Sequence, residues 1–263
     1  MTEMTYNNGA ASGYDRAFAQ VSAHFLPFLL RAGHLESGQR VLDIATGTGL
    51  AAEAALTVVG PTGHVAATDI SPAMVERAQA RVGAAPNASV AVEDGQALTI
   101  PEGSFDAVLC SLGLMFFPDP ARGLSEFHRV LRPDGWAAVS VNTVPERSFN
   151  TRIGIAIGRH EPTLTAAAAR IFSLGDGARL LALFVGAGFR DVEVAVEAHR
   201  FVVPSFNDYF DPYEHGAGAL GQAFISLPAE VRRTVREEVR RGLGDTGGPI
   251  AIEVEFRFAS GRK

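Results

Sequence analysis

The sequence predicts an α/β fold: one seven-stranded mixed sheet, parallel but for an antiparallel last strand, with helices on both faces and helical insertions as a lid. Three observations predict it. Apolar runs of strand length alternate with helical patterns from about residue 40 to 142, as in βαβ units. The first run ends in a glycine-rich turn that opens an alanine-rich helix. The last segments alternate apolar and polar residues with period two, which suits the antiparallel edge of a mixed sheet.

In chain order, Tyr6 and Tyr14 precede a helix expected over 15–32, and residues 1–37 make an N-terminal helical cap. Strands are expected over 41–45, 64–69, 89–93, 105–111 and 136–142, each too uniformly apolar to have a wet face. Ser71-Pro72 opens a helix, Ser as N-cap and Pro at the first helical position, and Met74, Ala78 and Val82 then recur every four residues. A helix over 121–131 aligns Leu124, Phe127 and Leu131 until Pro133, Asp134 and Gly135 stop it. Val192, Val194 and Val196 alternate with Asp191, Glu193 and Glu197, and Ile250, Ile252, Val254, Phe256 and Phe258 alternate with Ala251, Glu253, Glu255 and Arg257. The remaining segments, 143–176 and 201–247, read as helical insertions over the sheet's carboxyl edge, where open α/β sheets bind ligands. The 263 residues thus form a single domain with its core over 38–142.

Composition narrows the partners. A formal charge of -6 argues against nucleic acid, whose phosphates are bound by clustered Lys and Arg. Arg232, Arg233, Arg236, Arg240 and Arg241 do share a helix, but Glu230, Glu237 and Glu238 intersperse them, as on a solvated face. No run approaches the roughly 20 apolar residues that span a bilayer, and the N-terminus lacks a basic and then apolar leader, so a soluble, cytoplasmic protein is expected. Cys110, the only cysteine, lies within a predicted buried strand, where it is structural. No histidine pair has metal-ligand spacing beside a carboxylate or cysteine, so no metal is expected.

The chemistry concentrates at three strand ends. Val41-Leu42-Asp43-Ile44-Ala45-Thr46-Gly47-Thr48-Gly49 is a buried strand entering a turn whose glycines let the backbone approach a ligand. Asp69 ends the second strand 20 residues after Gly49, where a carboxylate can accept both hydroxyls of a ribose. The stretch Gly47-Thr48-Gly49-Leu50-Ala51-Ala52 also fits a dinucleotide fingerprint, which keeps a nicotinamide-dependent oxidoreductase in play. The block Val92-Glu93-Asp94-Gly95-Gln96-Ala97-Leu98 then places an acid after the third strand, able to bind an adenine amine. Asp43 either reaches the ligand through water or caps the loop's own amides.

With the D-I-A-T-G-T-G loop, Asp69, E-D-G-Q-A-L, F-D-A-V-L-C-S and R-V-L-R-P-D-G-W, the sequence resembles the class I S-adenosylmethionine-dependent methyltransferases, in particular the branch related to ubiquinone and menaquinone biosynthesis. The resemblance spans about residues 38 to 142 and implies a Rossmann-like fold with S-adenosylmethionine as cofactor. It implies that Ala45, Thr46, Gly47, Thr48 and Gly49 hold the methionine part, Asp69 and Ile70 the ribose end, and Asp94, Gly95 and Gln96 the adenine. Ser111 and Leu112 would line the side of methyl transfer. The family more often has glycine where this chain has Ala45, and Lys-Pro-Gly-Gly where it has Arg132-Pro133-Asp134-Gly135.

The implied function is methyl transfer to a small organic acceptor, apolar or aromatic. His160, His199 and His215 sit in or beside the insertions and are the candidates for a base. Tyr209, Phe210 and Tyr213, clustered with Phe201 and Phe206 around Pro212, read either as an acceptor wall or as lid packing. The oxidoreductase alternative requires a Tyr-x-x-x-Lys or similar, whereas the sole lysine is Lys263. The other alternative is a protein that binds the cofactor without turnover.

Overall fold

The computed structural model describes residues 8–161 and 170–263. Seven strands of the described residues form one sheet: β1 (Arg40–Ile44), β2 (His64–Asp69), β3 (Ala88–Val92), β4 (Phe105–Ser111), β5 (Leu131–Asn142), β6 (Arg190–Val203) and β7 (Ile250–Arg262). Their spatial order is β3-β2-β1-β4-β5-β7-β6. The pairs from β3 through to β5 are parallel, and β7 runs antiparallel to both β5 and β6. The chain builds outward from β1 to β3 and then returns to lay β4 against the other side of β1. That reversal opens a crevice at the carboxyl ends of β1 and β4, where the glycine-rich turn lies.

Helices α1 (Asn8–Ala32), α2 (Leu50–Val59) and α3 (Pro72–Val82) cover one face, and α4 (Pro120–Val130) and α6 (Gly177–Gly186) cover the other. Between them α5 (Thr151–Gly158) follows β5. Helices α7 (Phe206–Glu214), α8 (Gly218–Ser226) and α9 (Ala229–Gly242) connect β6 to β7. All four helices α5, α7, α8 and α9 spring from the carboxyl edge, and their apolar faces join the core layer that includes α1. Val41, Leu42 and Ile44 are at most 1% exposed, which is why β1 reads as an unbroken apolar run.

Five expectations change. β3 is the edge of the sheet, and Val92 is 52% exposed, so this apolar run does have a wet side. β5 begins at Leu131 rather than Trp136: the strand starts where α4 ends, and Arg132 to Gly135 form a bulge between the pairs Phe105–Leu131 and Ala107–Trp136. Asp134 sits at φ +66 within that bulge, a conformation Asp tolerates. β6 runs on to Val203, so Phe201 belongs to the sheet and not to the following insertion. The first helix begins at Asn8, which puts Tyr14 on α1, while Tyr6 lies outside the described residues. Of the arginine-rich helix, read as a solvated face, Val235 and Val239 are buried and Arg236 turns inward, 5.0 Å from the Phe206 ring centre and paired with Glu214.

Candidate active site

Ala45, Gly47 and Gly49 take φ values of +54, +57 and +87, so the chain leaving β1 curls tightly before α2 begins. Glycine is required at 49, because a Cβ there would lie 3.2 Å from the Ala78 backbone of α3 as well as at left-handed φ. At Gly47 the opposite holds: an added Cβ would meet no atom within 4 Å, so the turn faces a gap. The turn is anchored from behind, with Thr46 N–H donating to the Thr68 carbonyl and Gly49 N–H to the Thr46 carbonyl. Arg81 of α3 donates from Nε to the Thr48 carbonyl at 2.8 Å, an anchor with no signature in the sequence.

Asp69 joins two of the predicted strand ends directly. Its Oδ2 accepts the Gly47 N–H at 2.9 Å and its Oδ1 accepts the Ser71 N–H at 2.9 Å. Ser71 occupies the N-cap position of α3 without a side-chain cap bond. Burial raises the Asp69 carboxyl above the usual range, against the lowering effect of these amides. Beside it, Ile70 is 66% exposed.

Asp43 is fully buried, and its Oδ2 accepts the Thr46 hydroxyl at 2.5 Å. Its Oδ1 is buried with no hydrogen-bond partner. Burial pushes this carboxyl up to about 7 despite Thr46, and the nearby Asp69 charge adds to the rise. Asp43 thus caps the loop through the Thr46 hydroxyl rather than through the loop's amides.

After β3, the Asp94 Oδ1 accepts the Gln96 N–H at 2.9 Å, closing a tight turn beside Gly95. Gly95 has Phe117 so near that a Cβ would stand 2.5 Å from its ring. The Gln96 side chain is engaged elsewhere: its Oε1 accepts the Asp119 N–H at the start of α4, while its carbonyl accepts Arg122 Nε. Behind this loop, Glu126 takes the Leu98 N–H, and Arg129 donates to the Ile100 and Leu98 carbonyls. In the sequence α4 shows only an apolar face, with no hint of this brace.

At the end of β4, Leu112 adopts φ +52 and donates its N–H to the Ser140 carbonyl. Ser111 and Leu112 border a small cavity with Ser140, Phe256 and the α1 residues Ser22, Phe25, Leu26 and Leu29. Three hydroxyls and five apolar chains line it, with no titratable group. The α1 contribution lay hidden in the sequence, because its apolar residues serve equally to pack the core.

The remaining candidates lie apart from these strand ends. His160 is exposed just after α5, and His215 is exposed with Nδ1 2.7 Å from the Asp211 carbonyl oxygen. His199 stacks on His24 with ring centres 3.8 Å apart. Tyr209, Phe210 and Tyr213 are at most 2% exposed, packed within α7's buried side, and the Tyr209 hydroxyl donates to the Phe149 carbonyl. Cys110 is buried, which pushes its thiol far up. Among the described residues no group of three or more His, Cys, Asp or Glu could hold a metal ion.

A family model described as a methyltransferase domain matches residues 42–139. An uncharacterized protein of Mycobacterium bovis is 31% identical over 90% of this chain and 87% of its own length. A demethylmenaquinone methyltransferase of Deinococcus radiodurans is 42% identical over 38% of this chain and 41% of its own length. Phosphoethanolamine N-methyltransferase 2 of Haemonchus contortus, solved in complex with S-adenosylhomocysteine, has a TM-score of 0.66 at 18% identity, covering 99% of this chain and 59% of that one. The YcgJ protein of Bacillus subtilis has a TM-score of 0.61 at 18% identity, covering 92% of this chain and 98% of that one. At these identities the structural likenesses speak for the fold.

Proposed function

The chain belongs to the class I S-adenosylmethionine-dependent methyltransferases, on a branch similar to the ubiquinone and menaquinone biosynthesis enzymes, and on that premise we propose that it methylates a small, apolar organic acceptor. S-adenosylmethionine is its cofactor. The residues present fit that group: a glycine turn faces a gap at Gly47, and a buried carboxylate stands beside it at Asp69. One observation carries the reading, the 2.9 Å bond from Gly47 N–H to Asp69, which fuses the ends of β1 and β2 into a single site.

When bound, the cofactor supplies a methyl group already activated on a positively charged sulfur. What remains for the chain is to hold two reactants in line, an effect worth about 7 to 11 kcal/mol where positioning is good. In this reading Ala45 to Gly49 hold the methionine part, Asp69 accepts the ribose hydroxyls, Ile70 packs over the nucleoside, and Asp94 with Gly95 and Gln96 borders the adenine. In this reading the acceptor approaches the side lined by Ser111 and Leu112, where α1 leaves room for about one water and must shift to admit it. The apolar chains and serine hydroxyls that border this side support an uncharged acceptor.

The net charge of -6 favours a small molecule over nucleic acid as the acceptor. No helix among the described residues is long and apolar enough to cross a membrane, and with a lone, buried Cys110 this supports a cytoplasmic setting. The test is transfer of labelled methyl from S-adenosylmethionine to a panel of phenols, quinols, amines and carboxylates, with RNA and protein fractions alongside. Label in a neutral aromatic acceptor is the expected result. Label only in macromolecules would overturn the acceptor reading.

A further inference from the structure

Four segments are tied together at the turn after β1. Asp69 holds Gly47 N–H with one oxygen and Ser71 N–H, at the head of α3, with the other. From the last turn of α3, Arg81 reaches back to the Thr48 carbonyl at 2.8 Å, which returns to Gly47 through one peptide. The same guanidinium donates from Nη1 to Glu53 on the first turn of α2 at 3.1 Å. Thr48 is 3% exposed and the Arg81 side chain 23%, so this bond is largely shielded from water.

The contact is tight as well as polar. A Cβ at Gly49 would lie 3.2 Å from Ala78 Cα and 3.5 Å from Arg81 Cδ, so α3 is seated directly against the turn. A turn with three residues at left-handed φ has no regular ladder to fix its shape, and its outward carbonyls need donors. Guanidinium is suited to this, because its fixed fork satisfies an acceptor on the turn and another on α2 at once.

We infer that Arg81 is a positioning residue for the cofactor: by holding Thr48 it sets the curvature of the turn that receives the methionine part. This rests on the cofactor reading above. Because in that reading Asp69 takes the ribose while Arg81 bonds Thr48 of the turn and Glu53 of α2, the two should be separable by ligand.

The experiment is calorimetry with S-adenosylhomocysteine and with 5′-methylthioadenosine, which lacks the amino-acid part. Arg81→Met should raise the Kd for S-adenosylhomocysteine about tenfold and leave that for 5′-methylthioadenosine within about twofold. Arg81→Lys, able to keep one of the two bonds, should fall between, and Glu53→Gln should show the same selectivity more weakly. A merely structural role would weaken both ligands equally or lower Tm alone, and either result overturns the inference. Should Arg81→Met not fold, an unchanged ratio of the two Kd values in Glu53→Gln overturns it instead. Failure of the wild-type chain to bind S-adenosylhomocysteine would strike the cofactor reading and not Arg81.

Discussion

Ala45 and Gly113 face each other where β1 and β4 end: a Cβ on Gly113 would stand 2.6 Å from the Cβ of Ala45 and 2.9 Å from Cys110 Sγ. The methyl at 45, carried at φ +54, is therefore accommodated by the absence of one at 113. Gly113→Ala should destabilise the fold by about 1 to 3 kcal/mol through overpacking, read by urea unfolding. Ala45→Gly should stay within about 1 kcal/mol of wild type, since relief of left-handed strain offsets the added chain entropy. The double variant should recover part of the loss, as the Cys110 clash persists; equal losses with and without Ala45 would show that the two residues do not couple.

Asp69→Ala removes the acceptor of both Gly47 and Ser71 N–H along with the proposed partner of the ribose. S-adenosylmethionine affinity should fall at least about tenfold by calorimetry, as for loss of a charged hydrogen-bond acceptor. Asp69→Asn, which keeps one carbonyl oxygen, should lose less. Unchanged affinity in Asp69→Ala would remove Asp69 from the binding site.

Asp43 sets a pH dependence whose sign follows from its burial. Its carboxyl is raised to about 7 in the fold, so between pH 4 and 7 the folded chain binds more protons than the unfolded one. The stability this contributes is present at low pH and is lost as pH rises through 7, up to about 4 kcal/mol for a shift of this size. Asp69, raised in the same direction, adds to the slope. Asp43→Asn should flatten the stability profile between pH 5 and 8 in chemical unfolding, and a wild-type slope retained in that variant would assign the effect elsewhere.

Much of the site was legible because it is local. The turn after Ile44 and the carboxylate of Asp69 sit at strand ends, where backbone geometry limits which residues serve, and the alternation of strand and helix patterns marks those ends. What escaped depends on neighbours distant in sequence. Arg81 matters only because α3 lies against Thr48, 33 residues away, and Glu126 only because α4 passes behind Leu98. β3 looked buried from composition, but wetness follows its place at the edge, which spatial order decides. The early start of β5 was hidden by Pro133-Asp134-Gly135, residues that signal a turn whether they end a strand or bulge within one.

His24 on α1 and His199 on β6 stack at 3.8 Å, joining the cap helix to the sheet among Phe25, Phe28 and Phe201. Burial lowers the His24 pKa first and repulsion from His199 second, with Glu197 the carboxylate opposing them. A histidine lowered in the fold binds fewer protons there than when unfolded, so its stabilisation is present above about pH 6.5 and is lost as pH falls through the lowered value. Acidification to pH 5 should therefore loosen this junction, while Asp43 pulls stability the other way over the same range. Comparing Tm at pH 7.5 and 5.5 in wild type and His199→Gln isolates the pair, because Asp43 is common to both. The acid-induced loss should shrink in the variant; a loss of equal size would mean that two imidazoles in contact here do not feel each other's charge.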